Sequence, residues 1–327
     1  MIITRTPFRI SFVGGGSDME GFYTHHKGAV ISTSINKYMY ISSHKFFEED
    51  KIRVKYSKTE TVSQSDDLQH PILRTVLKKF GVKGGLEISS IADVPAGTGL
   101  GSSSAFTVGV LHNLHLIRKN PVNKEALAAE ARHIEIDLMH EPIGKQDQYG
   151  TAVGGLNLIE FEKSGAVTVT PIGTDHEVMS ALQQNLLMFY TGDQRSASNI
   201  LAEQKKNITQ ENKFNTLKSM VSLVYDTKQA IDTGNLSDFG KVLHENWILK
   251  KQLASGISNP AIDQAYETAM KNGALGGKLL GAGGGGFLLF YCPVNLQQKL
   301  IAALKPMRQF DFKFDQDGSK LIHFSDE

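Results

Sequence analysis

The sequence predicts an α+β protein with two domains. Three stretches among the first 60 residues, 2–12, 38–46 and 51–56, alternate apolar and polar side chains, the period of half-buried antiparallel strands. From residue 196 to about 271 the apolar residues recur every three or four positions, which indicates helices. Strands are predicted again at 274–280 and 286–292. A chain of 327 residues suits two domains, and the change in pattern divides it into 1–180 and 181–327.

The remaining elements follow from local signals. Residues 71–80 read as a helix, 86–91 as a strand, and a helix starts at the serines of 102–104. Helices are also predicted at 124–140 and from Pro142 to about residue 151, because proline suits a first helical turn. Strands at 156–161 and 167–171, a helix at 295–304 and a last strand at 310–314 complete the prediction.

Charge and cysteine content narrow the class of protein. Lys and Arg total 35 against 34 acids, so no basic excess indicates nucleic acid or an anionic membrane as a partner. The single cysteine, Cys292, excludes an internal disulfide and a cysteine zinc site. The N-terminus lacks the apolar stretch of a signal peptide, and the longest apolar run, 279–294, is too short to span a bilayer. We therefore expect a cytoplasmic protein with small-molecule ligands.

Glycine is concentrated in three clusters, VGGGSD at 13–18, PAGTGLGSSSA at 95–105 and GAGGGGF at 281–287. The middle cluster lies between a predicted strand and a predicted helix. Glycines allow backbone N–H groups to converge on a phosphate, and the helix N-terminus adds partial positive charge. The cluster therefore suits a phosphate site, although an exposed loop with a helix cap would have the same composition.

Two common phosphate motifs are not supported. A Walker loop would require serine or threonine after Lys278, where the chain has Leu279, and glycine where it has Asn272. The dinucleotide fingerprint fails at Gly14 and matches 281–286 only nominally, within a run of four glycines. Neither lies in an alternating βαβ series, which argues against a dehydrogenase.

The three clusters, in this order, resemble the motifs of the GHMP kinase superfamily (galacto-, homoserine, mevalonate and phosphomevalonate kinases). The resembling segments are TPFRISFVGGGSD, PAGTGLGSSSA and KLLGAGGGGF, and GKQDQYG at 144–150 is similar to a fourth, galactokinase-like segment. The resemblance implies an N-terminal domain like ribosomal protein S5, a ferredoxin-like C-terminal domain and an active site between them. It also implies ATP as phosphate donor.

The first cluster bears on the substrate. Galactokinase-like members carry glutamate and histidine where this chain has Gly15 and Gly16, whereas the triple glycine before Ser17 and Asp18 resembles heptose kinases and the fucokinase domain. The closest resemblance is to D-glycero-D-manno-heptose 7-phosphate kinases, which implies phosphorylation of an anomeric hydroxyl. A fucokinase- or galactokinase-like enzyme for an unphosphorylated sugar and a non-catalytic sugar or nucleotide sensor are the alternatives.

The resemblance also assigns roles to residues. Asp147 is the candidate to position or deprotonate the acceptor hydroxyl, and Arg9 the candidate to stabilise charge on the transferred group. Mg²⁺ is expected at Ser103 and Glu135. ATP is expected at Pro95, Gly97, Gly99, Leu100, Gly101, Ser102, Ser103 and Ser104, and the sugar at Gly15, Gly16, Ser17, Asp18, Gly283 and Gly284. Lys145, Arg195 and Lys278 are hypothetical partners for a phosphate on the substrate.

Overall fold

Two β-sheets with helices packed on them form the protein, and the computed structural model describes residues 1–192 and 197–325. The strands are β1 (Ile2–Val13), β2 (Gly28–Lys45), β3 (Ile52–Lys55), β4 (Thr59–Val62), β5 (Leu86–Ala92), β6 (Leu156–Phe161), β7 (Val167–Pro171), β8 (Leu186–Tyr190), β9 (Gly276–Leu279), β10 (Phe287–Tyr291), β11 (Arg308–Gln309), β12 (Phe314–Asp315) and β13 (Lys320–Phe324). The helices are α1 (Glu20–Tyr23), α2 (Pro71–Lys79), α3 (Ser102–Ile117), α4 (Lys124–Arg132), α5 (Gln146–Val153), α6 (His176–Gln184), α7 (Ala197–Asn207), α8 (Glu211–Asp232), α9 (Leu236–Lys250), α10 (Pro260–Lys271) and α11 (Gln297–Ala303). The predicted α+β class is confirmed.

The first sheet has nine strands, with the order β13-β1-β2-β5-β3-β4 along its main path. β2 is long enough to pair with β6 through its first half and with β5 through its second half, while β7 extends the sheet beyond β6. The β3–β5 pair is parallel and the other pairs are antiparallel, as the alternating pattern predicts for the early strands. Helix α3 packs on β1 and β2 and is buried over most of its length.

The second sheet is antiparallel, with the order β11-β8-β10-β9. Helices α8 and α9 pack against each other, and α9 also packs on β9. The fully buried Trp247 lies on α9. The end of β1 contacts this layer directly, because the Phe12 ring meets Phe239 of α9 edge-on at 5.3 Å and Asn246 Oδ1 accepts from Gly14 N at 3.1 Å. Through these contacts the loop after β1 lies between the two sheets.

Several predicted boundaries differ from the structure. β2 begins at Gly28, ten residues before the predicted 38, because its first eight residues are buried on both faces and their sequence does not alternate. The helix predicted from Pro142 starts at Gln146, whose backbone N–H donates to Asp18 Oδ2. The helix predicted at 124–140 ends as a wider, π-type turn over His133–Leu138.

The end of the chain also departs from the prediction. In place of one strand at 310–314 there are two short strands, β11 in the second sheet and β12 in the first. β13 then pairs with β1, so the chain returns to the first sheet after the second is complete. The division at residue 180 stays a prediction. Within 1–192 and 197–325, no helix has the length and apolar character needed to cross a membrane.

Candidate active site

A cavity of about 360 Å³ lies between the two sheets, and all three glycine clusters contribute to its wall. The first sheet provides the loop after β1, the loop before α3 and the N-terminus of α5. The second half of the chain provides α7, the end of α9 and the glycine loop between β9 and β10. The cavity wall includes Arg9, Ser11, Gly15, Gly16, Asp18, Gly97, Gly99, Gly101, Ser102, Ser103, Ser104, Gln146, Asp147, Gln204, Lys250, Lys278, Gly281 and Gly283.

The loop before α3 has the backbone form that the glycines predict. Gly97, Gly99 and Gly101 all have positive φ, at 77°, 83° and 74°. Gly101 occupies the N-cap position of α3, and among the described residues no side chain accepts from the first N–H groups of this helix. The first three residues of this 16-residue helix, Ser102, Ser103 and Ser104, line the cavity, so the helix N-terminus lies at the cavity wall, an arrangement suited to an anion.

Arg9 and Asp147 form a two-point ion pair at this loop. Arg9 Nε donates to Asp147 Oδ1 at 2.9 Å and Nη2 donates to Oδ2 at 2.8 Å. The third nitrogen, Nη1, donates to the carbonyl oxygen of Gly99 at 2.7 Å. The Arg9 side chain is buried, whereas 28% of the Asp147 side chain remains exposed in the cavity. One guanidinium thus fixes both the carboxylate and the glycine loop.

Glu135 is fully buried behind α3. Its two carboxylate oxygens accept from the hydroxyls of Ser103 (2.8 Å), Ser104 (2.7 Å) and Thr107 (3.1 Å), and from Gln148 Nε2 (2.5 Å). Burial raises the pKa of this carboxyl, although the four donors oppose the rise. In the described part of the chain no basic side chain pairs with it, so its charge lacks a counterion.

Asp18 joins the first glycine cluster to the start of α5. Its Oδ1 accepts from Gly16 N at 3.0 Å and from Gln146 Nε2 at 3.3 Å, and its Oδ2 accepts from Gln146 N at 3.1 Å. Burial, with the charge of Asp147 as a smaller contribution, raises the pKa of Asp18. A Cβ at Gly144 would lie 1.9 Å from Oδ2, which explains why glycine is found there. Most of the acceptor capacity of Asp18 is therefore used within the protein.

Some residues predicted for the site lie outside the cavity wall. The Ser17 hydroxyl is buried and bonds to the backbone of Ala29, and the Leu100 side chain is in the core. Pro95 is exposed, and Gly284 N donates to the carbonyl of Ile257. These positions contribute to the shape of the loops, while their predicted ligand contacts stay predictions.

The three hypothetical partners for a substrate phosphate fare differently. Lys145 Nζ donates to the carbonyl of Gly165 and lies over the Tyr23 ring, in a separate cavity. Lys278 lines the main cavity, but its Nζ is buried and donates to the carbonyls of Ser11 and Phe12. Arg195 lies outside the described residues.

The structure adds cavity residues that the sequence analysis missed. Ser11 Oγ and Gln146 Oε1 are buried without a partner among the described residues, and Gln204 on α7 is 4% exposed against Gly16. Lys250 is 6% exposed at the end of α9. A signal existed for Lys250, because it follows the buried Trp247 by three positions and therefore shares its helix face.

Cysteine and metal chemistry are limited by the donor set. Cys292 is buried, and burial raises the pKa of its thiol to about 11, which is typical of an inert core thiol. Among the residues that the structure covers, no group of three or more His, Cys, Asp or Glu side chains could hold a metal. A cage made by the protein alone is therefore absent from this part of the chain.

Comparison with known proteins identifies one family segment in each half of the chain. The family description "GHMP kinases N terminal domain" matches residues 68–155, and "GHMP kinases C terminal" matches residues 227–305. A Campylobacter jejuni D-glycero-alpha-D-manno-heptose 7-phosphate kinase is 28% identical over 98% of both chains. The L-fucokinase/L-fucose-1-P guanylyltransferase of Bacteroides fragilis is 28% identical over 87% of this chain and 34% of its own length. The structure of a D-glycero-D-manno-heptose 1-phosphate kinase from Bacteroides thetaiotaomicron has a TM-score of 0.81 at 22% identity and covers both chains completely.

Proposed function

The chain belongs to the GHMP kinases, and from this premise we propose that it transfers the γ-phosphoryl group of ATP to the anomeric hydroxyl of D-glycero-D-manno-heptose 7-phosphate. The observation that supports this most strongly is that the Arg9–Asp147 ion pair lies in the same cavity as the glycine loop before α3 and the N-terminus of that helix. Substrate choice is supported by a heptose 7-phosphate kinase that matches almost the full chain, and by glycine at positions 15 and 16. We expect the reaction in the cytoplasm, where ATP and sugar phosphates are available.

In the proposed reaction the acceptor hydroxyl lies at the Asp147 carboxylate. Its oxygen forms a bond to the γ-phosphorus while the bond from that phosphorus to the β–γ bridging oxygen breaks, and ADP leaves with the bonding electrons. The hydroxyl proton passes to Asp147 as the new bond forms. Arg9 remains charged throughout and stabilises negative charge on the transferred group, because a guanidinium does not lose its proton here.

Nucleotide phosphates are proposed to bind at the loop formed by Gly97, Gly99 and Gly101 and at the first turn of α3. The positive φ angles of these glycines and the uncapped N–H groups of the helix support this placement. The sugar is proposed to bind towards Gly15, Gly16 and Asp18. Ser11 Oγ and Gln146 Oε1, which have no hydrogen-bond partner among the described residues, are proposed to bind its hydroxyl groups there.

The residues present fit a magnesium ion. Mg²⁺ prefers oxygen ligands, keeps several waters and needs few protein groups. Glu135 offers a buried carboxylate that no basic side chain in residues 1–192 and 197–325 pairs with, and the Ser103 hydroxyl 2.8 Å from it reaches the cavity wall. We propose that these two residues hold the ion, which when bound supplies charge neutralisation for the nucleotide phosphates.

A substrate panel tests the proposal. Purified protein is incubated with ATP, Mg²⁺ and, in separate reactions, heptose 7-phosphate, fucose, galactose or mannose, and ADP release is measured. We expect the highest kcat/KM with heptose 7-phosphate and a bisphosphate whose new phosphorus signal couples to the anomeric proton. A higher kcat/KM with an unphosphorylated sugar would reassign the substrate. Absence of ADP release with every sugar, despite ATP binding, would favour a non-catalytic sensor.

A further inference from the structure

Lys250 is a buried lysine that the proposed mechanism does not yet use. It is the last residue of α9, and its Nζ donates to the carbonyl oxygens of Leu279 at 3.2 Å and Gly281 at 2.5 Å. Within the described residues these two carbonyls are its only hydrogen-bond partners, and no carboxylate pairs with it. Burying an ammonium group without an anion is costly, so this position is a poor choice for stability alone.

The surroundings of Lys250 are rich in positive charge. Arg9 from β1 and Lys278 from β9 act on it as like charges, and the charge of Asp147 from α5 opposes them. The pKa of Lys250 is lowered to about 7, mainly by burial and to a smaller extent by the charge of Arg9, while the charge of Asp147 opposes this shift. Because Asp147 is already paired with Arg9 through both oxygens, its negative charge does not balance the positive charge of Arg9, Lys250 and Lys278 together.

The position of Lys250 relates it to the glycine loops. Gly281, which accepts from its Nζ, belongs to the third glycine cluster, and a Cβ at Gly281 would lie 2.3 Å from the Cα of Gly99. Both Lys250 and Gly99 line the same cavity. A cation from the helix layer of the second sheet therefore lies beside the loop that is proposed to hold the nucleotide phosphates.

We propose that Lys250 binds the phosphoryl group during transfer, as a second cation beside Arg9 that the C-terminal half of the chain supplies. This inference rests on the proposed phosphotransferase function. The phosphate would provide the missing negative charge and raise the pKa of Lys250, so that its amine is protonated and charged when substrate is bound. Lys250 would then stabilise the charge on the transferred oxygens together with Arg9.

Two neighbouring lysines show why this role falls to Lys250. Lys278 is also buried and also donates to two carbonyls, those of Ser11 and Phe12 at 2.7 and 2.8 Å. Both acceptors belong to β1, whereas the Gly281 acceptor of Lys250 lies against Gly99 of the proposed phosphate loop. Lys251 is more exposed and pairs with Asp263 at 3.1 Å. Lys251 therefore serves as a matched control, one residue further along the chain and outside the cavity wall.

Two variants separate the effect of the Lys250 charge from the effect of its hydrogen bonds to the carbonyls of Leu279 and Gly281. Lys250→Gln keeps an N–H donor for the carbonyls of Leu279 and Gly281 but removes the charge, and Lys250→Met removes both. We expect kcat with heptose 7-phosphate to fall about 10²–10³-fold in Lys250→Gln, with a smaller change in KM. Lys251→Gln should retain wild-type kcat. Near-wild-type kcat in Lys250→Gln would overturn the proposal.

The pH profile gives a readout that a structural role would not change. In the wild type, kcat should fall as pH rises through the pKa of Lys250 in the substrate complex, because only the protonated lysine stabilises the phosphoryl group. This alkaline limb should be missing in Lys250→Gln. An alkaline limb that is unchanged in the variant, whatever the loss of rate, would assign Lys250 a structural role.

A binding measurement keeps the inference testable without turnover. Calorimetry compares a non-hydrolysable ATP analogue with adenosine, which lacks phosphates. Lys250→Gln should weaken the analogue at least about fivefold and leave adenosine unchanged. Equal effects on both ligands would overturn the inference. Wild-type protein that binds the analogue but releases no ADP with any sugar would instead contradict the proposed function alone. Lys250→Met provides the same comparison if Lys250→Gln does not fold.

Discussion

Arg9 and Asp147 are 138 residues apart in the sequence, yet two hydrogen bonds of 2.9 and 2.8 Å join the guanidinium of one to both carboxylate oxygens of the other. The paired geometry fixes the orientation of the carboxylate, since a planar guanidinium matches it at two points. Part of the Asp147 side chain remains exposed in the cavity, as its proposed contact with an acceptor hydroxyl requires.

The first prediction concerns Asp147. Asp147→Asn should keep the fold and ATP binding but lower kcat about 10²–10⁴-fold, because the amide cannot accept the hydroxyl proton. ADP release and binding of an ATP analogue are the two measurements. Asp137→Asn is the control, since Asp137 lies on the π-type turn and pairs with Arg132. Wild-type turnover in Asp147→Asn would remove the role assigned to this residue.

The second prediction concerns Arg9. Arg9→Ala should lower kcat by a larger factor than it weakens ATP binding, because its proposed role is to stabilise charge that develops during transfer. Arg9→Lys should recover only part of the rate, since an ammonium group cannot form the two-point pair with Asp147. Steady-state kinetics with calorimetry would show the ranking. A greater loss of nucleotide affinity than of kcat would make Arg9 a binding residue.

The third prediction concerns Glu135 and magnesium. Glu135→Gln removes the buried negative charge while retaining a group of similar size. The Mg²⁺ concentration for half-maximal activity should rise about 10–100-fold, the range typical of lost metal-site support. Glu125→Gln, on the exposed first turn of α4, is the control. An unchanged Mg²⁺ requirement in a folded Glu135→Gln protein would limit Glu135 to holding Ser103, Ser104 and Gln148 in place.

Elements that are determined within a few residues can be predicted from the sequence, whereas elements that depend on distant contacts cannot. The glycine loop before α3 was predictable because positive φ angles and a helix start are determined within a few residues. The first half of β2 was missed because burial on both faces removes alternation. The start of α5 was placed too early because Asp18, 128 residues away, accepts its first N–H. Such long-range contacts leave no local signal.

The candidate site divides in a similar way. A resemblance between motifs assigns Arg9 and Asp147 to the same site, but no spacing in the sequence predicts that the two side chains pair. A lysine in a helix is normally solvated, so the burial of Lys250 can be predicted only if its helix face is recognised as the one that buries Trp247. Gln204 and Ser11 were likewise found only once three distant segments met at one cavity.

The fourth prediction is a pH dependence of stability that arises from His112. Its Nδ1 lies 2.9 Å from Ser319 Oγ, which in turn lies 2.8 Å from Thr6 Oγ1. Burial is the main cause that lowers the pKa of His112 to about 4 from an ordinary value of 6.5. The unfolded chain therefore takes up a proton at a pH where the folded protein does not.

The sign follows from this difference. The contribution of His112 to the free energy of unfolding is fully present above pH 6.5 and is lost as pH falls towards about 4, by up to about 3 kcal/mol. Urea unfolding at several pH values would measure it. His112→Gln should flatten this part of the profile, whereas His323→Gln, on an exposed part of β13, should not. An identical profile in His112→Gln would show that another group is responsible.

The last prediction concerns the contact between the second and third glycine clusters. Gly99 has a φ of +83°, and a Cβ there would lie 2.4 Å from the carbonyl oxygen of Leu280. Gly99→Ala therefore combines an unfavourable backbone conformation with a clash against backbone that cannot move aside without shifting the Gly281 loop. The conformation alone costs about 1–3 kcal/mol, so urea unfolding should show at least this loss of stability.

The ATP analogue should also bind more weakly, because Gly99 O would no longer be held by Arg9. Gly173→Ala is the matched control, since no atom of the described residues lies within 4 Å of a Cβ there and its φ is ordinary. If both variants were equally stable and bound the analogue equally well, the close approach of the two loops would not be required for the site, and the inference that they act as one wall of the cavity would fail.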